Sequence, residues 1–299
     1  MSPSAWLVAC LVVCGSGSEQ ATPPASQQST PAVAPAQAQI DNLYQVVLAE
    51  PEFAVVNLPT TLRLPKWGSS FRLTHRFLDN LRLEGFTDHL DNLFGLDNGA
   101  VIALEYRIAP LEHVQFVFFR NNVDKTIQLS GRFDVIRQGG RIPVSASPIV
   151  SLEGTRNLRG GHSDDSDEHA HGDSGGQRSP SVGAVFSRTF GNNLALYATP
   201  MWVHHTNPAG TSHQNTAFIG LAGRARIRSK VYIVGEVSPR VSGYAPGDVE
   251  YAFGIERRAG GHMFQLTFTN ATAGTFGQLA RGGFPNTLYL GFNLTRKFF

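Results

Sequence analysis

Residues 160–176 read GGHSDDSDEHAHGDSGG and hold the densest set of metal-ligating side chains in the chain: His162, His169 and His171 among Asp164, Asp165, Asp167, Glu168 and Asp173. Imidazole together with carboxylate suits Zn²⁺, Cu²⁺ or Ni²⁺. His169 and His171, two residues apart, can chelate from one extended segment. The plainer reading of the same residues is a solvated external loop. Glycine pairs flank it, so a metal would first have to order it. No other cofactor is expected. The patterns G-x-S-x-G, H-E-x-x-H, G-x-x-x-x-G-K-[ST] and G-x-G-x-x-G are absent. His75 and His262 lie on or beside strands with no serine pattern around either. A membrane-embedded hydrolase is thus the weakest reading, and the chain is expected not to be an enzyme.

A second set of charged residues recurs at every other position of apolar runs: Glu105, Arg107, Arg132, Asp134, Glu153, Arg224, Arg226, Glu236, Arg240 and Glu256. Period-2 alternation is the mark of β-strands with two unlike faces. Ile102, Leu104, Tyr106 and Ile108 oppose Glu105 and Arg107; Leu129, Phe133 and Val135 oppose Gln128, Arg132 and Asp134; Phe264, Leu266 and Phe268 oppose Gln265, Thr267 and Thr269. From Ser70 onward this gives about twelve strands of roughly ten residues, the length that crosses a tilted bilayer path. The connections alternate. Pro110–Glu112, Gly191-Asn192-Asn193, Ser229-Lys230 and Ala259-Gly260-Gly261 are tight, whereas 80–98, 157–179, 207–215 and 272–286 are long.

Short turns on one side and long loops on the other point to an up-and-down antiparallel transmembrane barrel, all-β, with both ends on the periplasmic side. A soluble sandwich would also alternate. The basic residues decide between them: 4 Lys stand against 21 Arg. Soluble surfaces use Lys freely, while Arg suits enclosed, bidentate ion pairs. The charged set is therefore expected to line the lumen, either as a salt-bridge plug or as a small polar passage with selectivity set by the Arg excess. Segment 81–99 contains a short helical run, DHLDNLFGL, that could constrict it.

Composition agrees. Of 299 residues only 16% are charged, 41% are hydrophobic and the formal net charge is +2. Mean hydropathy is −0.12. Twenty Phe, seven Tyr and three Trp exclude disorder throughout. The longest apolar run, Ala5–Cys14, is ten residues, too short for a spanning helix. Balanced charge argues against a nucleic-acid partner, and the two Cys exclude a disulfide scaffold. Residues 1–17 read as a signal peptide, with Leu7-Val8-Ala9-Cys10 in the order of a lipoprotein box and Cys14 as a second candidate for acylation. Residues 18–39 read as a disordered Pro/Ala/Ser/Gln linker, 40–69 as a periplasmic N-terminal segment, and 70–299 as the barrel. The chain closes on Phe298 and Phe299, an aromatic end of the kind read by the barrel assembly machinery.

The blocks VVNLPTTLRLPKWGSSFRLTHRF, DNLFGLDNG, VYIVGEVSPRVSGY, FGIERRAGGHMFQLTFTNATAGTFGQLARGG and LYLGFNLTRKFF resemble a bacterial β-barrel family catalogued as domain of unknown function 5777. The resemblance covers roughly residues 53–299 and implies an outer-membrane barrel with no assigned activity. Residues 160–179 match nothing in that pattern. Outer-membrane lipids of a Gram-negative-type bacterium and small polar solutes are the partners expected. The role expected is a narrow channel or structural barrel, with surface or metal binding through 160–176 as the alternative.

Overall fold

Strands with one apolar and one polar face can satisfy every backbone group in a bilayer only by closing on themselves. The computed structural model, which describes residues 49–83, 85–91, 99–158, 177–207, 214–245, 247–272 and 274–298, shows such a closed ring. Its strands are β1 (Ser69–Phe77), β2 (Ala100–Leu111), β3 (Val114–Asn121), β4 (Ile127–Phe133), β5 (Ser145–Gly154), β6 (Arg178–Phe190), β7 (Leu194–Val203), β8 (Thr216–Arg228), β9 (Val231–Ser238), β10 (Arg240–Gly243), β11 (Glu250–Ala259), β12 (His262–Thr269) and β13 (Tyr289–Phe298). β9 and β10 are one barrel strand broken at Pro239, which has no N–H to give to a ladder. Twelve antiparallel barrel strands result. β1 pairs with both β2 and β13, and β8 pairs with β9 to complete the circle. The bounds fall within a few residues of those read from alternation.

One rim carries the tight connections 112–113, 191–193, 229–230 and 260–261, plus a hairpin extension at 134–144 that turns at Gly139–Ile142. The opposite rim carries the long ones, 78–99, 155–177, 204–215 and 270–288. The strand faces separate by chemistry. Leu104, Phe116, Leu129, Val150, Phe253 and Leu266 point outward and are 41–49% exposed, whereas Arg107, Arg132, Glu153, Arg224 and Glu256 are buried inside. Among the described residues no helix is long and apolar enough to cross a membrane.

The lumen is full, and this differs from the expectation in one respect. Segment 40–69 reads in sequence as periplasmic, yet residues 49–64 run inside the barrel and only 65–67 emerge at its rim. Val55, Val56 and Leu58 have no exposed surface at all. The cause is a second apolar surface that strand alternation conceals. On the inner wall of β6–β9, Val185, Tyr197, Met201, Phe218 and Val234 form one buried cluster with those residues. Water excluded from both surfaces favours their contact.

A further element enters from the long-loop rim. Helix α1 (Phe86–Asp91) forms within 81–99 and is tied to the chain just beyond β1 by His89 Nδ1 and Asp79 Oδ2 at 2.9 Å. The segment packed against the inner wall, however, is α2 (Phe276–Arg281), whose Leu279 and Ala280 join the same apolar cluster against β6, β7 and β8. Thr275 and Gln278 cap α2 reciprocally, each side chain accepting the other's backbone N–H at 3.2 Å. Gly282 ends it at φ 86°, a backbone region that favours glycine.

Candidate functional site: the occupied lumen

Residues 49–67 fold as a finger with its base at the short-turn rim. A bridge between Ala54 and Pro59 pairs its two arms, Thr60 N–H donates to Phe53 O at 2.9 Å, and Val55 N–H donates to Leu58 O at 2.8 Å. Val56 and Asn57 therefore form the tip. Glu50 ties the arms lower down by accepting from Thr61 N–H at 2.7 Å. At the base, Trp67 N–H donates to Ala109 O at 2.6 Å, and the Phe53 ring lies 5.2 Å from the Arg107 guanidinium and 4.8 Å from Lys297 Nζ.

The tip rests on one carboxylate. Glu236 on β9 accepts the N–H groups of Val56 (2.9 Å), Asn57 (2.7 Å) and Leu58 (3.1 Å). Bonds to an ionised acceptor are roughly twice as strong as neutral ones. The finger's carbonyls are met in the same way. Arg224 donates to Ala54 O at 2.7 Å and Gln265 to Val55 O at 2.5 Å. Arg72 donates to Val56 O, Arg132 to Thr60 O and Leu62 O, and Lys297 to Pro51 O. Gln115 reaches Leu62 O at 3.3 Å. Bonds from the inner wall to finger side chains are fewer: Ser187 with Thr61 at 2.5 Å and Glu250 with Asn57 Nδ2 at 3.1 Å.

The charged set read from the sequence is thereby placed. Glu105 pairs with Arg107 at 2.9 Å and Arg132 with Asp134 at 3.3 Å. Arg224 grips Glu256 with two bonds, 2.7 and 2.8 Å, both side chains fully buried. Glu153 accepts Gly277 N–H at 2.9 Å and faces Arg281 at 3.2 Å. Arg226 sits near the short-turn rim on Asn193 (2.7 Å), and Arg240 braces the end of α2 through Arg281 O (2.8 Å). Glu105 and Arg107 lie on one strand, Asp134 follows the end of the strand that carries Arg132, and Arg224 and Glu256 are separated only by β9. Within this wall stand the finger and α2, and the wall's polar groups meet mainly the finger's backbone.

Sequence reasoning passed over several members of this set. Arg72 and Arg76 alternate with Phe71, Leu73 and His75 on β1, a signal as clear as any used. Gln115 and Gln265 are neutral, and a search for charges does not return them. Glu250 shares its face with Glu256. Glu50, outside the strands, is buried in the finger, and burial pushes its carboxyl above the ordinary range against the opposing pull of Arg224, Arg132 and Thr61. Between finger and wall a space of about 40 Å³ remains, bordered by Asn57, Glu105, Arg107, Gln128, Arg132 and Phe276. It is of water size rather than solute size.

Other expected residues fall elsewhere. Phe298 points outward at 44% exposure, while Phe299 lies outside the described residues. So do His162, His169 and His171, the signal and linker segments 1–17 and 18–39, and residues 40–48. Among the described residues no group of three metal-ligating side chains comes together. His75 stacks on Phe292 at 5.0 Å, and the His262 ring stacks on Phe264 at 6.2 Å.

The chain is similar to the NanC porin (9% identity, 77% of this chain and 99% of that one, TM-score 0.45). It is also similar to Omp33 of Acinetobacter baumannii (8%, 78% and 99%, TM-score 0.40) and to trimeric OmpT of Vibrio cholerae (6%, 78% and 98%, TM-score 0.39). No curated protein matches it in sequence. The family model described as a membrane-bound beta barrel domain, domain of unknown function 5777, matches residues 52–298. With its closed ring, its apolar outer belt and that match, this chain belongs to the membrane-bound β-barrel domain family and is a protein of the bacterial outer membrane.

Proposed function

We propose that this barrel is a channel for small polar solutes that is shut at rest by its own N-terminal finger. The supporting observation is the seat of the finger tip. Three consecutive N–H groups converge on Glu236, and Val55, Val56 and Leu58 are fully buried. Burying those three side chains is worth on the order of 5 kcal/mol or more, so the docked state dominates. With the finger gone, the bore is the polar wall of Glu105, Arg107, Arg132 and Glu256 together with the apolar strip of β6–β9. In this reading the short-turn rim faces the periplasm, the outward Phe298 is the aromatic used in assembly, and no catalytic step is involved.

The test is single-channel recording in planar bilayers. Gly220 faces Leu58 so closely that a Cβ there would stand 2.5 Å from Leu58 Cδ2. The full-length Gly220→Leu protein should open far more often than wild type. Heat-modifiable migration on a detergent gel checks that both are folded. Equal, near-zero current in two folded proteins would leave a purely structural barrel.

A further inference from the structure

We propose that the lumen is a polypeptide-binding site, and that the finger occupies it as a built-in stand-in for an extended peptide segment. The proposal rests on the gated reading and names what the opened lumen takes. Its basis is the kind of atom the wall recognises. Glu236 takes three amide N–H groups, and Arg72, Arg132, Arg224 and Gln265 take carbonyl oxygens at successive points along both arms. These groups recur in every peptide and depend little on side-chain identity. Passage of small solutes alone does not call for alternating acceptors and donors set to the spacing of a main chain.

The apolar strip adds the second half of a peptide site. Val185, Tyr197 and Phe218 line the inner wall in one cluster with Val55, Val56 and Leu58. In an open pore those residues would face water. A ligand that brings a polar backbone and aliphatic side chains together covers both. Extended-peptide recognition commonly divides this way, with main-chain bonds giving affinity and pockets for alternate side chains giving preference. The class of ligand is therefore an unfolded or hairpin peptide segment containing Val, Ile or Leu, bound with little regard for its exact sequence.

The experiment uses full-length protein in detergent. Two variants displace the finger by different routes: Leu58→Asp alters only the finger and leaves the wall intact, and Gly220→Leu alters the wall beneath it. Three fluorescein-labelled probes are titrated by anisotropy: a peptide of residues 52–62, a shuffled peptide of equal composition, and a labelled maltohexaose. Both peptides should bind Leu58→Asp at least about tenfold more tightly than wild type, whereas Gly220→Leu, whose added side chain occupies the seat of Leu58, should gain less. Adding Glu236→Gln to Leu58→Asp should weaken both peptides about tenfold, the scale of a lost bond to a charged acceptor. Maltohexaose should not bind.

Binding of the 52–62 peptide alone makes the lumen a dedicated socket and overturns the proposal. Equal binding of maltohexaose overturns it too, as does the absence of peptide binding in Leu58→Asp. Current measured on the same proteins separates the two claims. Current without peptide binding sinks the peptide site and leaves the gate, whereas peptide binding without current leaves the site and sinks the gate.

Discussion

Two pieces of chain enter the barrel, and they are held differently. The finger 49–67 makes few bonds of its own beyond its paired arms; wall side chains grip its backbone from several strands. Helix α2 has a helical frame and a cap of its own and takes only its end contacts from the wall. Its N-cap is internal, its first N–H groups meet Gln128 (2.8 Å) and Glu153 (2.9 Å), and its C-terminal side is braced by Arg240. Among the described residues the finger leads into a strand at one end, where Trp67 precedes β1. Helix α2 is fixed at both ends, between β12 and β13. A segment whose bonds come from its socket can leave with its shape lost and its socket whole. A segment bracketed by two strands can only shift. In the proposed gate the finger is thus the movable part and α2 the standing constriction.

The largest effect should follow from removing the finger's main anchor. Glu236→Ala leaves three buried N–H groups without an acceptor. At about 1–3 kcal/mol each, docking should weaken by about 3 kcal/mol or more, and open probability should rise about a hundredfold. Unchanged gating in a folded Glu236→Ala protein would transfer the role of gate to α2.

Gly277→Ala puts the same question to the helix. A Cβ at Gly277 would stand 2.4 Å from Glu153 Oε2, so α2 must back away from its carboxylate, at a cost of about 1–3 kcal/mol. The finger still fills the bore, and resting current should stay low. Combined with Glu236→Ala, the substitution should raise the conductance of each opening rather than its frequency. If Gly277→Ala alone opens the channel as often as Glu236→Ala, the distinction between the two inserts is wrong.

How far the sequence discloses this arrangement depends on which physical rule each part obeys. The strands and their outward faces follow from period-2 alternation, since Leu104, Leu129 and Phe264 must meet lipid. The finger obeys no period. FAVVNLP is a short apolar run with Asn-Leu-Pro at its turn, and nothing in it names the wall it will meet. The wall's own signal is present but faint. On β8, Phe218 and Ala222 share a face with Arg224, so both faces of that strand are apolar over its first half. A strand that is greasy on both sides of a membrane barrel implies a greasy occupant, and that inference was open to a reader of residues 216–224. Helix α2 is more legible, because Thr275 and Gln278 show a capping box. Its position inside the barrel is not, because no local pattern distinguishes a loop that folds inward from one that stands in solvent.

A smaller effect tests the cap of α2. Thr275→Ala removes the cap and should cost about 1 kcal/mol. Hydrogen exchange should quicken over 276–281 and stay unchanged over 53–60. Faster exchange in the finger as well would show that the two inserts form one cooperative unit.

The smallest effect concerns pH and belongs to the finger alone. Burial raises the Glu50 carboxyl above its ordinary value of 4.5. Between that value and the raised one, the docked finger holds a proton that the withdrawn finger has given up. Docking is therefore favoured at low pH and weakens as pH rises through this window. Arg224 and Arg132 limit the shift by favouring the charged form. In Glu50→Gln the side chain stays neutral at every pH and can still accept from Thr61 N–H, so docking should lose this part of its pH dependence. Open probability of wild type should increase as pH rises above 4.5, and that of Glu50→Gln should increase less. Parallel slopes in the two proteins would assign the pH response to the wall carboxylates, and the finger would then be a passive passenger in its socket.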